Sequence, residues 1–172
     1  MRHNFFTEQW VAAPVHRVFA FFADPENLPR LMPRWQHAII QQASLVSPPP
    51  PMHPAPDGQP TVAAGTGSEM TIRFRPIPFS PVQLTWRARI ADFAWNEHFC
   101  DEQLSGPFAY WRHCHRTHAL RKNGMPGTVV RDELEYELPL GLLGEAAHAI
   151  FARRQIAATF RYRQKMLQQI FR

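Results

Sequence analysis

Residues 127–138, GTVVRDELEYEL, decide the fold, because they alternate without a break. Val130, Asp132, Leu134, Tyr136 and Leu138 fall on one face of an extended chain, and Arg131, Glu133, Glu135 and Glu137 on the other. Four charges in a row need water, so the first face turns toward a core. The preceding stretch, 108–121, repeats the pattern: Trp111, His113, His115 and Thr117 alternate with Arg112, Cys114, Arg116 and His118. Setting these arginines against the glutamates puts opposite charges together outside. Trp111, His113 and His115 then sit inside, beside Leu134, Tyr136 and Asp132.

Outward from this pair the same reading gives strands at 97–105, 82–93 and 67–75, separated by Pro/Gly turn signals such as SGPF and PIPFSP, and two earlier strands at 37–46 and 5–11. Short adjacent strands joined by such turns predict an antiparallel meander. Between the first two strands, Pro14 suits a helix start, and Val15, Val18, Phe19 and Phe22 recur at helical spacing. That helix breaks near Pro25, and a second turn over Glu26–Met32 stops before Pro33. Segment 46–64 holds seven prolines and no periodicity, which predicts a loop insertion. From Leu142 onward Leu143, Ala147, Ile150, Ala157, Phe160, Leu167 and Phe171 define one helix of nearly thirty residues, too long to stand without an extended partner.

Strand, two short helices, a run of strands and a long terminal helix make an α+β order in one domain spanning 1–172. Three stretches make it specific. The opening VAAPVHRVFAFFADPENLPRLMP (11–33) resembles the first strand and helix pair of the SRPBCC superfamily, which includes the START and Bet v 1-like proteins. FCDEQLSGPFAYWRHCHRTHAL (99–120) and GTVVRDELEYELPLGLLG (127–144) are similar to an uncharacterised bacterial branch of it. The resemblance implies a helix-grip fold, a curved antiparallel sheet of about seven strands wrapped around the terminal helix. It implies a function only broadly, because this scaffold carries lipid carriers, hormone receptors, ubiquinone-binding proteins and polyketide cyclases.

Alternation names the cavity wall independently of the resemblance. Trp86 and Ile90 on 82–93, Gln103 on 97–105, Trp111, His113 and His115 on 108–121, and Asp132, Leu134 and Tyr136 on 127–138 face inward, roofed by Ala157 and Phe160 of the helix. Whether Asp101 and Gln103 point inward depends on the length of the SGP turn; inward is the reading adopted. An aromatic wall with a polar centre suits an apolar ligand bearing one polar group, such as a lipid, isoprenoid, quinone or aromatic metabolite. The alternative is a cyclase or dehydratase in which the histidines, Asp132 and Tyr136 supply acid–base chemistry.

Other features exclude more than they assign. The terminal 31 residues carry Arg153, Arg154, Arg161, Arg163, Lys165 and Arg172 against Glu145, so they hold the whole formal excess of +5 while the rest balances at 13 against 13. The expected reading is a solvated helix face that can transiently touch an anionic membrane. No nucleic-acid motif accompanies it, and no nucleic-acid partner is expected. No apolar run reaches the length of a membrane span and the N-terminus lacks secretory features, so the chain is expected in the cytoplasm. There, Cys100 and Cys114 are expected as reduced, buried thiols. His113-Cys114-His115 does not read as a metal site, since alternation turns Cys114 away from both histidines; no metal or other cofactor is expected.

Overall fold

The computed structural model describes residues 1–51 and 62–172. Seven strands form one antiparallel sheet: β1 (His3–Val11), β2 (Ile39–Ser44), β3 (Glu69–Phe74), β4 (Leu84–Ala94), β5 (His98–Ser105), β6 (Tyr110–Ala119) and β7 (Thr128–Glu137), in the order β1-β7-β6-β5-β4-β3-β2. β2 to β7 run as a meander, and β1 returns beside β7 over its full length, from His3 opposite Tyr136 to Val11 opposite Thr128.

Between β1 and β2 lie helix α1 (Val15–Ala23), a 3₁₀ turn (Pro25–Asn27) and the short helix α2 (Leu28–Leu31). Pro14 is the N-cap of α1, and Val18 and Phe19 are its buried face. α1 stops because Asp24 turns extended and its carboxylate accepts from the Glu26 amide at 3.0 Å, nucleating the 3₁₀ turn. The terminal helix comprises α3 (Leu142–Ala147), a π turn (His148–Ala152) and α4 (Arg153–Ile170). Three buried clusters fill the space between sheet and helices, one centred on Val18 and Leu167, one on Phe19 and Ile90, and one on Trp111, Tyr136 and Phe160. The helix-grip expectation is borne out.

The proline-rich 46–64 insertion is described only at its two ends, and residues 52–61 lie outside the described residues. Those ends are tied down: Ser68 Oγ bonds the backbone of Val46, Trp95 Nε1 donates to the Pro49 carbonyl at 2.6 Å, and the Ala64 amide donates to Ala23.

Three expectations need correction. Cys100 and Cys114 are not free thiols; they are joined as a disulfide. They stand directly opposite each other on β5 and β6, with Cα atoms 4.0 Å apart, a proximity that neither strand discloses alone. The apolar residues at the start of the terminal helix do not face the sheet either: Leu142, Leu143, Ile150 and Phe151 are exposed. A π turn carries an extra residue, so it rotates the positions before it relative to those after it. The buried stripe of α4 is consequently Ile156, Phe160, Arg163 and Leu167, one residue out of phase with the spacing read from Leu143 through Ala157. Lastly, Arg163 is not on a solvated face but points into the protein, with 7% of its surface exposed.

Candidate functional site

Between the concave face of the sheet, the α1–α2 pair and α4 lies a cavity of about 150 Å³. Its walls are mostly apolar: Phe22 and Leu31 from the helix pair, Ile72 from β3, Trp86, Ala88 and Ile90 from β4, Phe99 from β5 and Phe160 from α4. Trp86 and Trp111 meet edge to face at 4.9 Å, which holds both indoles upright on the wall. Four charged or titratable side chains reach the same surface, Asp101, His113, His115 and Arg163.

The β5–β6 connection decides that Asp101 is among them. Residues 106–109 make the turn, and Gln103 clamps it, donating to the Phe108 carbonyl at 2.7 Å and accepting from the Phe108 amide at 3.3 Å. Gly106 is needed there, since a Cβ would come within 2.4 Å of Gln103 Oε1. The clamp sets the register that puts Asp101 opposite His113 and Cys100 opposite Cys114, so Phe99 and Asp101 face the cavity while the disulfide lies on the outer face.

Behind the two histidines, and off the cavity surface, lies Asp132 of β7. Its Oδ1 is 2.7 Å from His115 Nδ1, 3.2 Å from His113 Nε2 and 3.5 Å from Arg163 Nη2. Arg163 Nη2 is also 2.9 Å from His115 Nδ1, and its guanidinium stacks over Phe22 at 4.7 Å. Burial opposes ionisation of Asp132, but Arg163 and the two imidazole hydrogen bonds outweigh it and hold the carboxyl well below the usual range. Burial, reinforced by the neighbouring His113 and Arg163, holds His115 well below the ordinary imidazole value, so it is neutral. Burial pushes the Asp101 carboxyl up and the Arg163 guanidinium down. An ionised Asp132 only accepts, so His113 Nε2 and His115 Nδ1 are its donors on offer. Arg163 Nη2, itself a donor, competes for the same His115 Nδ1, which cannot give a proton to Asp132 and accept one from Arg163 at once. The opposite ring nitrogens, His113 Nδ1 and His115 Nε2, face Asp101 Oδ2, at 3.6 and 3.8 Å.

Of the residues singled out from sequence, Trp86, Ile90, Trp111, His113, His115 and Phe160 line the cavity. The others do not. Asp132 supports the histidines, Leu134 and Tyr136 pack behind Trp111, Gln103 is spent on its turn, and Ala157 stands beside the buried stripe of α4, where Ile156, Thr159 and Phe160 take the inward places. The Tyr136 hydroxyl meets His148 at 2.9 Å and neither of the cavity histidines. Sequence reading missed Arg163 as a site residue and placed it among solvated arginines. The available signal was its spacing: with Ile156, Phe160 and Leu167 it completes a four-three-four stripe.

Among the described residues no helix is long and apolar enough to cross a membrane. No curated protein sequence matches the chain. Solved structures share the fold at low identity. A START superfamily protein from Mycobacterium smegmatis is 15% identical, covers 98% of this chain and 97% of its own, and has a TM-score of 0.59. Major latex-like protein 151 from Panax ginseng is 8% identical over 99% and 97%, with a TM-score of 0.61. A norcoclaurine synthase point mutant from Thalictrum flavum, in complex with a transition-state analogue, is 13% identical over 99% and 96%, with a TM-score of 0.58. The sequence profile of the family described as polyketide cyclase/dehydrase and lipid transport matches residues 11–162. With that match spanning the first helix pair, every strand from β2 to β7 and most of the terminal helix, the chain belongs to the polyketide cyclase/dehydrase and lipid transport family of the SRPBCC superfamily.

Proposed function

We propose that the described chain acts as one ligand-binding domain whose cavity takes a small apolar molecule, one or two rings in size, bearing a single acidic or hydrogen-bond-accepting group. One observation carries this reading: a buried arginine reaches the surface of a mostly apolar cavity, and Arg163 Nε and Trp86 Nε1 have no hydrogen-bond partner among the described residues. Buried donors left unpaired cost free energy that an acceptor on a ligand recovers. The size follows from volume, since about 150 Å³ is below the roughly 300–1,000 Å³ of drug-sized sites and suits about one aromatic ring, or two if side chains yield. Carriage or sensing of a lipid-derived or aromatic acid fits this chemistry better than storage of a long chain.

The test is titration of the untagged protein with benzoate, 2-naphthoate and 2-naphthamide, read by quenching of Trp86 and Trp111. Naphthoate is expected to bind, the neutral amide more weakly, and Arg163→Met to lose at least about tenfold for the acid, the scale of a charge-assisted hydrogen bond. Equal affinity for acid and amide would remove Arg163 from the reading. Native mass spectrometry of freshly purified protein would name a retained ligand directly.

A second reading, proton transfer in a cyclisation or dehydration, is supported by the neutral His115 on the cavity surface, with its Nδ1 2.7 Å from Asp132 Oδ1, a carboxylate–imidazole pair of the kind a general base uses. His115→Gln that keeps naphthoate binding while abolishing turnover of a cavity-sized substrate would favour it. Exposed Leu142, Leu143 and Ile150 beside exposed Arg153 and Arg154 support transient contact with an anionic bilayer during delivery. Arg153→Glu with Arg154→Glu is then expected to abolish sedimentation with phosphatidylserine vesicles.

A further inference from the structure

We infer that Asp101, His113 and His115 form a binding site for a divalent transition-metal ion, open on one side to the cavity. The three side chains come from adjacent strands, with Asp101 paired directly across from His113 and His115 two residues further along the same face. Each is already aimed. Trp111 Nε1 donates to Asp101 Oδ1 at 3.1 Å, which turns Oδ2 toward the imidazoles. Asp132 Oδ1 lies 3.2 Å from His113 Nε2 and 2.7 Å from His115 Nδ1, which turns the opposite ring nitrogens, His113 Nδ1 and His115 Nε2, toward that same Oδ2.

Three atoms able to ligate a metal therefore converge. At 3.6 and 3.8 Å, His113 Nδ1 and His115 Nε2 are too far from Asp101 Oδ2 to share a hydrogen-bonded proton. An ion that holds nitrogen and oxygen at about 2.0–2.2 Å separates its ligands by roughly 3.0–3.8 Å for angles of about 90–130°. The two carboxylate–imidazole spacings fall within that span, and all three ligand atoms lie within 4.8 Å of one another, so rotation of the side chains toward a shared centre completes the site.

The surroundings agree with a metal in two further respects. Histidine ligands characteristically have a carboxylate at their second nitrogen, and Asp132 stands at that position for both imidazoles. Two carboxyl groups, Asp101 and Asp132, share this largely buried site with the single guanidinium of Arg163, a composition that suits an added cation. Two imidazoles and one carboxylate with the remaining positions open suit zinc or ferrous iron. The expectation of no metal rested on Cys114, which does face away; the third ligand comes instead from β5, through a strand pairing that the His-Cys-His motif does not contain.

The test uses the untagged full chain, stripped with chelator, dialysed, and titrated with Zn(II) by calorimetry and with Co(II) by visible absorption. One equivalent is expected, with a Co(II) ligand-field band. Asp132→Asn, which loosens the imidazoles without touching the ion, should weaken Zn(II) about 10–100-fold, and Asp101→Asn and His113→Ala by more. His118→Ala, on the exposed face of β6, should change nothing. Wild-type protein that takes up less than one equivalent overturns the inference, and so does affinity unchanged in Asp101→Asn, a near-isosteric variant whose fold is checked by circular dichroism should the histidine variants fail to fold. Naphthoate binding that persists in that case leaves the cavity reading intact and removes the metal alone.

Discussion

The two faces of the β5–β6–β7 sheet use the same chemistry, arginine against carboxylate, to opposite ends. On the outer face Arg112 pairs with Glu102, Arg116 with Glu133 at 2.9 Å and Arg131 with Glu8 at 2.8 Å, all with side chains about a third or more exposed. On the inner face Arg163 and Asp132 have side chains less than 10% exposed, and two imidazoles complete the shell. Outside, water already solvates both partners, so each pair is worth about 0–1 kcal/mol and its loss is forgiven. Inside, removal of one partner strands the other without water. Similar pairs thus decorate one surface and dictate the other, and burial rather than distance decides which.

The contrast breaks most directly at Asp132. Asp132→Ala leaves Arg163 buried and unpaired and should cost about 3–5 kcal/mol in urea unfolding at pH 7; a loss under about 1 kcal/mol would mean that the inner cluster is as wet as the outer one. Next comes Phe160→Ala, which removes a ring packed 4.8 Å from Phe5 and 5.2 Å from His113. About 3 kcal/mol is expected, the lower end for such a truncation because one side of the ring faces the cavity, together with weaker naphthoate binding. Back on the outer face, Cys100→Ser with Cys114→Ser opens a short loop and should cost up to about 3 kcal/mol; thiol titration of the native protein should find no free thiol.

Acid sharpens the comparison without mutation. In chelator-treated protein His115 is held neutral by burial, so its folded pKa lies below the unfolded value near about 6.5. As pH falls through that value the unfolded chain takes a proton that the native state refuses, and stability should decline by at most about 1.4 kcal/mol per pH unit from this group. Asp132 acts lower. Its folded pKa is depressed, so its contribution holds above the unfolded carboxylate value near about 3.9 and is lost as pH drops below it. The smallest effect should be Glu133→Ala, no more than about 1 kcal/mol and shrinking further in high salt, checked by the same unfolding assay.

How much of this was legible in sequence differs residue by residue. The inward set Trp111, His113, His115 and Asp132 and the outward ladder of arginines and glutamates follow from period-two alternation alone, because a strand has only two faces and charge excludes one of them. Asp101 was half legible: its partnership with Gln103 was clear, but the face depended on a turn whose geometry rests on the Gln103 clamp and Gly106. The Cys100–Cys114 bond was not legible, since it depends on which residue of β5 meets which residue of β6.

Arg163 shows where the boundary lies. Sequence by itself determined the α+β order, the strand faces, the breaks at Pro25 and Pro33, and the existence of a long terminal helix, all of which are set by local sterics and by one residue's affinity for water. Only the tertiary structure decided which way that helix is turned, because a π turn at His148–Ala152 offsets its two halves and because a buried carboxylate on β7 gives an arginine on α4 a reason to leave solvent. A charge goes where its partner is, and partners distant in sequence meet only when the sheet has closed around the helix.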